Sequence, residues 1–127
     1  MKKILFLAGA AAALLATPAF ADLAAELSTA QTHAGMSSTQ TDIAMAQKHL
    51  QHAVNCLVGP NGAGFDAAAG NPCGKAGNGA IPDSTDAAQK AKLTSIAATA
   101  KQAVGSSDLA TVTKTAKDTV AAIAAAK

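Results

Sequence analysis

Residues 39–57 read TQTDIAMAQKHLQHAVNCL, and residues 58–65 continue as VGPNGAGF. The first segment spaces its apolar residues as a helix does. Ile43, Ala46, Leu50, Val54 and Leu57 recur at intervals of three and four and would lie along one face. The second segment cannot continue that helix. Gly59-Pro60 stops it, and Gly62 and Gly64 follow within a few residues. A long helix running into a glycine-rich break therefore organises the rest of the chain.

Upstream, residues 22–34 carry Leu23, Leu27, Ala30 and Ala34 on one face and predict a first helix. Gly35 reads as its stop, and Ser37 or Ser38 as the N-cap of the next helix. Downstream, residues 58–82 hold seven of the ten glycines together with Pro60, Pro72 and Pro82, predicting a long irregular loop. Such a loop inside a small domain is functional or tied down. Asp83 or Ser84 would cap a third helix, with Asp86 adding charge to its first turn and Leu93, Ile96, Ala97, Ala100 and Val104 facing inward. Gly105-Ser106-Ser107 marks a turn, with a serine as cap and Asp108 just inside the fourth helix. Leu109, Val112, Ala116, Val120 and Ile123 give that helix its apolar stripe. The fold expected is all-α: residues 22–127 as an antiparallel four-helix bundle with a long Gly/Pro-rich loop at 58–82.

Residues 1–21 read as an export signal. Lys2 and Lys3 precede an apolar run from Ile4 to Ala16, Pro18 breaks it, and Ala19-Phe20-Ala21 fits an A-x-A cleavage site. The mature chain would begin at Asp22 in a bacterial periplasm or outside the cell. No other segment approaches the ~18 apolar residues of a membrane span. All ten basic residues are lysines, two of them in the signal, so eight remain against eight acidic residues. With no basic patch and no arginine, a nucleic-acid partner is not expected.

Phe65 is the sole aromatic after the signal, so the core must be built from Ala, Leu, Ile and Val. Ala buries little area, which calls for a staple. Two cysteines in an exported chain predict a Cys56–Cys73 disulfide, which would tether the loop. Closing a loop of this size contributes ~3 kcal/mol in chain-entropy models. Phe65 should dock the loop onto the helices.

The chemistry lies on one flank of the second helix. Met45, His49, His52 and Cys56 follow at spacings of four, three and four, about 120° round from the apolar centre. His33, the third of the three histidines, would border the same seam from helix one. With helix one ending near it, His33 should sit closer to Asp42 or Met45 than to His52. Imidazole suits copper, zinc, nickel and iron, and thioether selects Cu(I). The expected ligands are therefore His49, His52, His33 and Met45, with Asp42 orienting a histidine. Copper or zinc is the favoured ion and haem the alternative, though one aromatic makes a poor haem pocket. The plain alternative is a ligand-free envelope interaction module in which these residues merely cover a wet helix face. A second copy of the chain could also cover an Ala-rich face as a homodimer.

No enzyme is expected. No H-E-x-x-H follows His49, Glu26 is the only glutamate, and the glycine-rich loop lacks G-K-[ST]. In architecture and in its 33–56 region the chain resembles the small exported helical-bundle proteins with clustered histidines. Some of these bind copper or other metals.

Overall fold

The computed structural model describes residues 21–127. The expected signal segment, Ala21 apart, lies outside them. The described residues form five α-helices and one 3-10 turn, with no strand among them. In order these are α1 (Leu23–Ser38), α2 (Ile43–Val58), the 3-10 turn (Ala67–Ala69), α3 (Ala80–Asp83), α4 (Ala87–Val104) and α5 (Leu109–Ala126). None of these helices is long and apolar enough to cross a membrane.

Every long helix starts on an aspartate. Asp22, Asp42, Asp86 and Asp108 accept the amides of Ala25, Met45, Gln89 and Thr111. A carboxylate there satisfies one of the free N–H groups of the first turn and complements the positive end of the helix dipole. The serine caps expected from sequence are corrected by this. Ser37 and Ser38 lie inside α1, Asp86 rather than Asp83 or Ser84 opens α4, and Asp108 is itself the cap of α5.

α1 also runs past Gly35, where a stop was expected. Glycine costs about 1 kcal/mol in a helix interior, and burial beyond it offsets this. Ala34 and Ser37 are fully buried, and Ser37 Oγ donates to the carbonyl of Ala46 on α2. The turn to α2 is thereby shortened to residues 39–42.

The core is formed by Leu27, Leu50, Leu57, Leu93, Val112 and Ile123, interleaved with Ala30, Ala46, Ala97, Ala100 and Ala116. α1 packs against α2 and α5, and α4 packs against the same two helices. Small side chains at these seams bring helix backbones close, so that dispersion contacts replace the area that larger residues would bury.

The connection between α2 and α4 is only partly irregular, since it contains the 3-10 turn and α3. Asn55, fully buried at the end of α2, takes the place of a backbone partner for it. Its Nδ2 donates to the carbonyls of Asp66 and Gly70, and its Oδ1 accepts from Asp66 N. Gln51 Nε2 donates to the Gly64 carbonyl and to Asn55 Oδ1, and Lys101 Nζ donates to Gln51 Oε1 at 2.6 Å. Buried loop backbone needs such partners. Gly59 and Gly79, both at positive φ, let the two ends of the loop cross backbone to backbone. A Cβ on either would strike the main chain of the other end. Cys56 and Cys73 are joined by the expected disulfide, and Phe65 packs against the core as its docking residue.

Candidate metal centre

α2 carries His49 and His52 on one flank and α1 brings His33 to it. The ring centroids of His33 and His52 lie 4.8 Å apart, and each lies 5.8 Å from that of His49. One ring nitrogen from each histidine falls within 4.8 Å of those of the other two. All three side chains are half-buried.

The hydrogen-bond inventory of these rings is one-sided. His33 Nδ1, His49 Nδ1 and His52 Nδ1 are all buried and none has a hydrogen-bond partner. His52 Nε2, by contrast, lies 2.6 Å from the carbonyl oxygen of Ala69. A carbonyl only accepts, so Nε2 carries the proton and Nδ1 keeps its lone pair. Ligating histidines are held in this way, with the other ring nitrogen donating to a backbone carbonyl or carboxylate. A buried polar atom without a partner costs about 1–3 kcal/mol. Three such atoms, in rings that each bring a nitrogen within 4.8 Å of the other two, fit a shared Lewis acid. Metal–nitrogen bonds of ~2.0–2.1 Å put tetrahedral ligand atoms ~3.4 Å apart. The rings would have to close to that distance from a spacing within 4.8 Å on binding an ion.

Electrostatics keep the rings ligand-ready. Burial pushes His33 below the ordinary imidazole range, and the neighbouring His52 and His49 push it further. His49 is lowered by burial, then by His52 and by the ammonium of Lys48. Only neutral imidazole ligates, so both shifts favour metal over proton.

The other residues singled out from sequence are placed differently. Met45, one turn before His49, is 41% exposed. The Asp42 carboxylate accepts from Met45 N as the cap of α2. No hydrogen bond to a histidine is formed by it, and the orienting contact comes from Ala69 instead. The Cys56 sulfur is bonded to Cys73 and offers no thiolate. Of the three histidine pairs, His33 and His52 bring their rings closest.

Sequence reasoning missed the carbonyl of Ala69 and the role of Asn55. A backbone carbonyl has no signature in a sequence. Asn55 did have one, since an amide beside a disulfide cysteine at the mouth of a glycine-rich loop is well placed to bond loop backbone.

Comparison with protein-family models, with curated proteins and with solved structures gives no match for this chain.

Proposed function

We propose that this is an exported metal-binding protein that holds one transition-metal ion on His33, His49 and His52. One observation carries the reading: three buried Nδ1 atoms without hydrogen-bond partners, in rings packed against one another from two helices. Three neutral imidazoles suit copper and zinc best, with nickel next, and give the site no charge of its own. A three-histidine set leaves a coordination position for water or an exchanging ligand, which suits binding and handing on of an ion. Export is supported by the signal-like residues 1–21 and by the disulfide, which persists in oxidising compartments. We read the scaffold as an antiparallel four-helix bundle of α1, α2, α4 and α5, on the strength of their mutual packing and the short turns between α1 and α2 and between α4 and α5.

Haem is less well supported than an ion. Rings with centroids 4.8–5.8 Å apart fill the space between themselves, and Gly70 of the loop closes against His52. The readings separate in one experiment on the oxidised protein. Calorimetric titration with Cu(II) and Zn(II) should give one ion per chain with at least micromolar affinity. His49→Ala and His52→Ala should each weaken it more than tenfold. Binding that survives in the double variant rejects the site. A Soret band on adding haemin, with no ion bound, favours haem, and no binding of either favours the interaction module.

A further inference from the structure

Glu26 is the only glutamate of the chain and is fully buried in α1. Its Oε1 accepts the amide of Gly79 at 2.8 Å, while Oε2 is buried with no partner. A second carboxylate, that of Asp83 at the end of α3, comes to the same place. Its Oδ2 accepts the amide of Asn78 at 2.7 Å, and its Oδ1 takes the Asn78 side-chain amide. Gly77 lies between the two acids, and a Cβ there would strike both Asp83 Oδ2 and Glu26 Oε1. Two acids thus grip one short segment, residues 77–79, one from α1 and one from α3.

The surroundings supply no compensating cation. The charged groups that act on Glu26 are Asp83 from α3 and Asp22 from the start of α1, both acidic. Segment 77–79 contributes the amides of Asn78 and Gly79 and the Asn78 side chain. A proton on Glu26 relieves the repulsion from Asp83 and turns the orphaned Oε2 into a donor.

We propose that Glu26 holds a proton that it donates to the Asp83 carboxylate, and that this proton latches residues 77–83 onto α1. The latch is closed in mildly acidic surroundings and loosens in mildly alkaline ones. In the closed form Glu26 Oε2–H donates to the Asp83 carboxylate while Oε1 still accepts from Gly79. Loss of the proton leaves two facing anions, and their repulsion together with the burial of the Glu26 charge outweighs the stronger bond that the Gly79 amide then makes. Cys73 is bonded to Cys56, so the loosening is confined to the segment after it and does not reach Ala69. The latch therefore stands independently of the metal reading.

Burial pushes the Glu26 carboxyl up to about 7, against the lowering effect of the Gly79 amide, and Asp83 and then Asp22 push the same way as burial. Because Glu26 is the only glutamate, selective carboxyl labelling of the oxidised full-length chain gives a single glutamate resonance for NMR titration. Its midpoint is expected near 7, moving down by a unit or more in Asp83→Asn. Amide exchange at Gly79, corrected for its intrinsic pH dependence, should quicken at least tenfold between pH 5.5 and 8. Glu26→Gln, which keeps both contacts without titrating, should abolish that change. A midpoint at the ordinary glutamate value, a Gly79 exchange rate that ignores the titration, or an unaltered response in Glu26→Gln each overturns the proposal.

Discussion

The Nε2 of His52 stands 2.6 Å from the carbonyl oxygen of Ala69, so a ring on α2 is oriented by main chain 17 residues further on. The contact joins the histidine cluster to the glycine-rich connection. It also fixes which nitrogen of His52 is free to ligate.

That link predicts an effect at Gly70, the residue after Ala69. Its φ of 95° belongs to glycine, and a Cβ there would lie 3.9 Å from His52 Nε2. Space is adequate but the backbone is not, so Gly70→Ala should shift the Ala69 carbonyl. Losing an orienting contact of this kind lowers metal affinity about 10–100-fold. Calorimetry of Gly70→Ala should show one ion still bound at roughly tenfold lower affinity, with the helical circular dichroism unchanged.

The pH dependence of the metal-free protein has two opposing parts. His33 and His49 have folded-state values below the ordinary 6.5, so between those values and 6.5 the unfolded chain binds more protons. Their contribution is present above pH 6.5 and is lost as pH falls through the lowered values. Glu26 behaves oppositely: its value is raised from 4.5 to about 7, so its contribution is full below 4.5 and is lost as pH rises through 7. Thermal unfolding of Glu26→Gln should therefore show stability rising with pH from 5 to 7. Adding His33→Gln and His49→Gln should flatten that rise.

Gly35 offers a stabilising change. It is helical and its added Cβ would meet only Val120 Cγ2, at 4.0 Å, an ordinary contact. Gly35→Ala should stabilise by about 0.5–1 kcal/mol through helix propensity and a less flexible unfolded chain. Urea unfolding should show a higher midpoint at unchanged slope.

Asn55 should prove the costliest polar residue to lose. Its side chain bonds Asp66 N, Asp66 O, Gly70 O and Gln51 Nε2 in a fully buried position. Asn55→Ala strands several of these groups and should cost about 2–4 kcal/mol. Exchange protection should fall first across residues 64–70.

The sequence by itself determined the helical class, the disulfide and the stripe on α2. Helical spacing in residues 43–57 set which side chains share a face, and that relation is local, needing no knowledge of other elements. Pairing of Cys56 with Cys73 followed from there being no third cysteine. Tertiary structure alone decided how the flank was completed. Whether α1 stopped at Gly35 depended on the burial of Ala34 and Ser37, an energy that a propensity argument does not contain. Met45 shares the stripe's spacing yet stands exposed, because spacing fixes direction round a helix but not what lies beyond it. The contacts to Ala69, Gly70 and Gly79 are backbone contacts across the fold. Every residue has a carbonyl and nearly every residue an amide, so no residue type marks them in advance, and only the folded path of the loop selected which ones His52, Asn55 and Glu26 would meet.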